Sequence, residues 1–174
     1  MTLQFTVFGV AIPKGSTKAF AYYAKNRATG QVILNKHGNP VLLASTSNAN
    51  PKTKDWQHLV SEAASHAVQS LPPAERGLLA DGVRVTLAFY FPRPKSLPRR
   101  VTAHTKAPDL DKLARNIFDA ITHVVIRDDA QIVDLVAMKR YVTLGDVPHV
   151  DVRIEPTAGV NALAHDQPLF EMAQ

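Results

Sequence analysis

The chain contains no cysteine among its 174 residues, which removes disulfides and thiolate-bound metals from consideration. That fits a reducing compartment, and the cytoplasm is the expected location. No apolar run reaches the roughly 18 residues that a bilayer-spanning helix needs, so no membrane partner is expected. The opening MTLQFTVFGVAIPKG lacks a basic leader and a small-residue cleavage site, so no secretory signal is expected either. Carboxylates are scarce: 15 Asp and Glu stand against 20 Lys and Arg, for a formal charge of +5. They are also unevenly placed. Lys14, Lys18, Lys25, Arg27, Lys36, Lys52 and Lys54 precede the first acid of the chain, and Arg84, Arg93, Lys95, Arg99, Arg100 and Lys106 form a second acid-free stretch. Two such stretches are the electrostatic footprint of a polyanion binder, most often of nucleic acid. The plainer alternative is a solvated basic surface.

What is present is an ordinary globular composition, 45% hydrophobic and 20% charged, at a length that suits one domain with a sizeable core. Leu3, Phe5 and Val7 alternate with polar residues as a half-buried strand that Gly9 ends. From Ile12 to Asn50, scattered Gly and Pro predict loops and a small hairpin. Trp56, Leu59, Val60, Ala63, Ala64, Ala67 and Val68 recur at helical spacing, predicting an amphipathic helix over about Thr53 to Ser70 that Pro72 and Pro73 stop. Val83, Val85, Leu87, Phe89 and Phe91 give the clearest strand, followed by an exposed, proline-stiffened basic loop, PRPKSLPRR. A second helical stripe runs from Leu110 to Val124. Gln131 to Tyr141 and His149 to Glu155 read as two further strands. The expectation is an α/β domain of the α+β type, a single domain over residues 1–156 with a mixed β-sheet packed against two main helices, and a C-terminal tail at 157–174.

The few acids then crowd together. Asp109, Asp111, Asp119, Asp128 and Asp129 fall in one short region, although like charges at close range repel. Taken singly, each has a structural explanation. Asp109 sits where an N-cap belongs, Asp111 favours the positive end of a helix dipole, and Asp111, Arg115 and Asp119 share one helix face at i, i+4, i+8 as an ion-pair ladder. Taken together, they are hard oxygen ligands without Cys or clustered His, the donor set of Mg²⁺ or Mn²⁺ rather than Zn²⁺. Such a site polarises a phosphate and activates water for in-line attack. Periodicity leaves open whether Asp128 or Asp129 faces inward.

The run resembles the RusA family of Holliday junction resolvases, whose signature is an Asp-x-Asp-Asn-Leu opening, a basic residue, Phe-Asp-Ala-Leu, then Asp-Asp-x-Gln. Here these read Asp109-Leu110-Asp111-Lys112-Leu113, Arg115, Phe118-Asp119-Ala120-Ile121 and Asp128-Asp129-Ala130-Gln131. The early GVAIPKGSTKAF is similar to the family's Pro-Lys-Gly segment. The resemblance implies a RusA-like domain and a Mg²⁺-dependent crossover junction endodeoxyribonuclease, with Mn²⁺ as a possible substitute, that resolves four-way DNA junctions by paired nicks in recombination and repair. It also implies a homodimer. On that basis Asp109, Asp111 and Asp129 take the metal and catalytic roles with Asp128 beside them, and Arg115 takes the place of the family's functional lysine. Two residues depart from the pattern: Lys112 replaces Asn, and Arg115 replaces Lys, which keeps charge but not geometry.

Lys14, Lys18, Arg93, Lys95, Arg99, Arg100 and Lys106 are the candidates for phosphate contact. His104 and His123 are expected at the surface, and Trp56 in the core, with Tyr22 and Tyr23 available for stacking on bases. PKGSTK lacks the Gly-Lys-Ser/Thr order of a phosphate loop, so no nucleotide cofactor is expected. Two other functions fit the same residues: a junction-binding protein without catalysis, and a metal-dependent nuclease acting on flaps or forks.

Overall fold

The computed structural model describes residues 2–15, 17–48 and 50–157. These divide into two compact units, one built from the residues up to Pro13 and those from Lys52 onward, the other from Lys14–Pro51. The expected C-terminal tail lies outside the described residues, apart from its first position, Thr157.

The larger unit holds a four-stranded sheet in the order β1-β6-β4-β5, with β1 at Leu3–Phe8, β4 at Val83–Phe91, β5 at Ile132–Tyr141 and β6 at His149–Pro156. β6 runs antiparallel to both β1 and β4, whereas β4 and β5 are parallel. A parallel pair needs a crossover, and helix α2, Leu110–Ile121, supplies it. Helix α1, Thr53–Gln69, packs against α2 and β1. The sheet is mixed and carries two main helices, as the periodicities predict. The two C-terminal strands are sequential but not neighbours, because β4 lies between them.

Alternation decides which face is covered. Val83, Val85, Leu87, Phe89 and Phe91 of β4 are buried, and Val150, Val152 and Ile154 of β6 join them under Leu113, Ile117 and Ile121 of α2 and Trp56, Val60 and Ala64 of α1. Fully burying a side chain of this size contributes ~1.5–3 kcal/mol, so this seam is the main source of stability. α2 ends earlier than its apolar stripe: Thr122 is extended and His123 has φ 64°, so Val125 and Ile126 reach the core from a turn rather than from the helix. Gly9 closes β1 at φ +128°, where an added Cβ would stand 3.3 Å from the Trp56 ring.

The smaller unit is a hairpin, β2 at Thr17–Tyr23 paired antiparallel with β3 at Leu42–Asn48. It continues through bridges from Lys25 to Val32 and from Leu34 to Pro40. It is longer than the small hairpin expected from the scattered Gly and Pro. Its turns use Gly30 and Gly38 at positive φ, with the Asn26 and Asn35 side chains accepting backbone N–H bonds.

Candidate metal and nucleic-acid site

Asp109 opens α2 after the cis Ala107–Pro108 peptide. It occupies the N-cap position in extended conformation, yet its carboxylate accepts no capping hydrogen bond. Instead Oδ2 pairs at 2.8 Å with Lys112 Nζ, one turn on. That ammonium, by hydrogen bond and charge, holds the Asp109 carboxyl below the ordinary carboxylate value. Asp111 lies in the first turn and is exposed, as is Arg115. Asp119, farther along the helix, is half-buried and accepts a 3.0 Å bond from Gln57 of α1. One end of the expected i, i+4, i+8 face is therefore engaged in helix–helix packing.

Lys139 of β5 was not singled out by the sequence reading. Its Nζ donates to the carbonyls of Lys106 at 2.8 Å and Pro108 at 2.6 Å, holding the segment that leads into Asp109. The same segment is stitched to the end of β5 by Tyr141 N–H to Thr102 O at 2.8 Å and His104 N–H to Lys139 O at 3.3 Å. His104 is not the surface residue expected. Its ring stands 4.4 Å from Phe91 and 4.8 Å from Tyr141, and burial, followed by the Lys139 charge, pushes its pKa below the ordinary histidine value. His123 is exposed, and Trp56 is core.

The Asp128–Asp129 doublet lies in a different place. Asp128 caps a single 3-10 turn, Asp129–Gln131, by accepting from Ala130 N–H at 2.8 Å. The Gln131 side chain accepts from the N–H groups of Arg127 and Asp128 and donates to the carbonyls of Leu79 and Asp81, both at 3.0 Å. The Gln of the Asp-Asp-x-Gln run thus fastens this turn to the start of β4. Asp128 has an oxygen engaged locally, while Asp129 is exposed. Asp109 lies with Lys139 near the end of β5, whereas Asp129 precedes its start. Seven steps from Ile132 to Lys139 at ~3.3 Å each separate the two levels by about 23 Å. α2, the crossover from β4 to β5, is itself about 18 Å long. Accordingly, no group of three His, Asp or Glu among the described residues stands close enough to hold one cation.

The basic loop has two kinds of cation. Arg93 turns inward: it donates to the carbonyls of Val142 at 3.3 Å, Pro98 at 3.2 Å and Val101 at 2.7 Å, and lies 5.6 Å over the Tyr141 ring. Its charge serves the loop. Lys95 and Arg99 instead line, with Arg93, Leu97, Tyr141 and Leu144, an open cavity of about 650 Å³. Arg100 and Lys106 are exposed. Lys14 stands at the start of the smaller unit. Lys18 is on β2, and its side chain lies outside the described residues.

Asp109 and Asp111 are hard donors at one helix N-terminus. Mg²⁺ binds through one or two carboxylates together with waters and substrate phosphate, so the pair fits the chemistry of that ion. Residues 20–155 match the family profile described as Endodeoxyribonuclease RusA. The Uncharacterized protein YqaN of Bacillus subtilis (strain 168) is 30% identical over 87 residues, and that alignment covers 44% of this chain and 59% of YqaN. The family match takes in β4, the basic loop, α2, the doublet turn and β5, and on that extent the chain belongs to the RusA endodeoxyribonuclease family.

Proposed function

We propose that this protein is a Mg²⁺-dependent endonuclease that resolves four-way DNA junctions by paired nicks in recombination and repair. The observation that carries the reading is the Asp109–Asp111 pair at the head of α2. It is an acidic point on a basic chain, and Asp109 leaves its capping bond unmade. Lys95, Arg99, Arg100 and Lys106 track the phosphates, which positions DNA without reading its sequence.

Asp109 and Asp111 would hold the cation; Asp129, at the far end of β5 from them within one chain, is the third carboxylate that the family resemblance assigns. A bound Mg²⁺ supplies a polarised phosphate and a water of lowered pKa. Arg115, one turn below Asp111, contacts the scissile phosphate or steadies the carboxylates through its planar fork of donors. Lys139 keeps the approach to Asp109 in place. The working form is a homodimer, since a junction presents two equivalent strands to cut.

The rival reading, a junction-binding protein without catalysis, draws support from the Lys112–Asp109 ion pair, which gives Asp109 a structural partner. A labelled synthetic junction with and without Mg²⁺ decides between them. Paired nicks that vanish in Asp111→Asn support the nuclease. Salt-sensitive binding without cutting supports the rival, and an unaltered rate in Asp111→Asn removes the assigned mechanism. Fork and flap substrates, run alongside, test selectivity for the four-way junction.

A further inference from the structure

The open cavity beside the basic loop, about 650 Å³, has walls from two segments. One wall is the proline-stiffened run after β4, with Pro94, Lys95, Leu97 and Arg99. The other is the end of β5 and the chain that follows it, with Tyr141, Thr143 and Leu144. Both walls are tied down. Arg93 donates to the carbonyls of Pro98, Val101 and Val142, Tyr141 N–H donates to Thr102 O at 2.8 Å, and Val142 N–H donates to Phe91 O at 2.9 Å. A cavity held open in this way is preformed, so a ligand that enters it costs little ordering of the protein.

The lining has a divided chemistry. Pro94, Leu97 and Leu144 are apolar, and Leu144 is 67% exposed. Lys95 and Arg99 are exposed and pair with no acid among the described residues, and no carboxylate lines the cavity. A bare phosphate would need the cations but not the apolar walls. A purely apolar ligand would need the walls but not two unpaired cations. A nucleotide needs both, since its base offers a flat face to apolar contact and its phosphate is an anion. Thr102 and Thr143, also on the lining, bring hydroxyls that can donate to or accept from the polar edge of a base.

The cavity also stands at the end of β5 that carries Asp109. Tyr141 is two residues beyond Lys139, ~7 Å along the strand, and Lys139 bonds the carbonyl of Pro108, directly before Asp109. A DNA strand advances ~3.4 Å per nucleotide, so one held at Asp109 reaches the cavity within a few nucleotides. We propose that this cavity receives one unstacked nucleotide of branched DNA, its base against Leu97 and Leu144 and a phosphate between Lys95 and Arg99. Inside a duplex each base is paired and stacked on both sides, and extruding it is costly. At a branch point pairing and stacking are interrupted, so a nucleotide leaves the stack at least cost there. The cavity is thus a means of selecting branched DNA that phosphate contacts, alike in every duplex, do not provide. The substrate class rests on the nuclease reading above; capture of an unpaired nucleotide does not require cutting.

Thr143→Trp fills the cavity and Leu144→Ser removes one apolar wall, and neither changes the charge. Both positions are exposed, and Thr143 serves the fold through its carbonyl, which accepts from Asp146 N–H at 3.1 Å, so both variants should fold. The probe is a synthetic four-way junction with 2-aminopurine placed in turn at each nucleotide beside the branch point. It is measured without divalent cation, so that no strand is cut; 2-aminopurine brightens when it leaves the stack. The wild type should brighten the probe at one or more positions. Either variant should abolish this and weaken junction binding about tenfold, the order of one base's contacts, with affinity for linear duplex unchanged. A probe that stays dark at every position under bound wild type, or that brightens equally with both variants, overturns the proposal. If the wild type binds the junction no better than linear duplex, the branched-DNA reading fails, and a duplex with one bulged 2-aminopurine decides the cavity. The wild type should then prefer the bulge over the perfect duplex about tenfold. A preference absent from the wild type, or kept in both variants, overturns the cavity as a nucleotide site.

Discussion

Lys139→Met is the most informative single change in the larger unit. Methionine keeps the aliphatic stem and removes the ammonium that bonds the carbonyls of Lys106 and Pro108. Hydrogen bonds to a charged group each contribute ~1.5–3 kcal/mol. Lys106 is exposed, so water replaces part of that loss, and the net cost is about one bond, ~2 kcal/mol. That corresponds to a roughly 30-fold rise in opening of the segment before α2. The amide of Leu113, which donates to Asp109 O at 3.2 Å, is the reporter, and its hydrogen exchange should accelerate by about that factor if opening is local. The ammonium has a second, opposite effect, because removing a positive charge near Asp109 favours a bound cation. Its pull on Asp109 is weaker than that of Lys112 and acts at an exposed site, where water screens it. The tether therefore dominates. The Mg²⁺ concentration for half-maximal cutting should rise in Lys139→Met, and Lys139→Arg should restore it in part. Unchanged Leu113 exchange together with a lower Mg²⁺ requirement would refute the tether and leave only the charge.

Lys112→Asn should release the Asp109 carboxyl back towards its ordinary pKa and lower the Mg²⁺ requirement for cutting; an unchanged or higher requirement would mean that Lys112 does not compete with the cation. His104 has a lowered pKa in the fold, so as pH falls the unfolded chain takes its proton first. Stability contributed at this residue is therefore lost as pH drops from about 6.5 downward, and His104→Phe should reduce the slope of Tm against pH in that window. Equal slopes in the two proteins would show that the ring is not buried in its neutral form.

The parts of the fold that could be read in the sequence are those whose signal is a period. The β4 alternation and the α1 and α2 stripes follow from which side of a strand or helix meets the core, and each appears at close to its expected limits. The order of strands in the sheet has no such signal. β5 and β6 read alike as half-buried strands, yet pairing each with β4 places twice as many neighbours on that central, fully alternating strand. The site was legible in composition but not in arrangement. Lys139, Gln131 and Arg93 all bond backbone carbonyls far along the chain, and a carbonyl is present at every residue, so no residue-type pattern marks the target. Arg93 shows this best: it reads as a phosphate contact because it is a cation in a basic loop, and its guanidinium donates to three carbonyls that close that loop.

The two acidic groups differ in what helix ends ask of them. An N-cap aspartate ordinarily gives its oxygen to a free N–H of the first turn, and such a bond is worth ~1 kcal/mol. Asp128 does this for the short turn that follows it, and Gln131 completes the reciprocal cap. Asp109 stands in the equivalent position on a much longer helix, with more to gain, and does not. Its carboxylate is turned outward, towards Lys112, where only a cation holds it. A structural acid would take the capping bond and leave the ammonium in solvent. An acid kept for a metal would have to forgo the cap and take another cation until the metal arrives, as Asp109 does with Lys112. By the same logic Asp128, already bonded to Ala130, is the structural member of its doublet. Asp129 makes no such local bond and stays exposed.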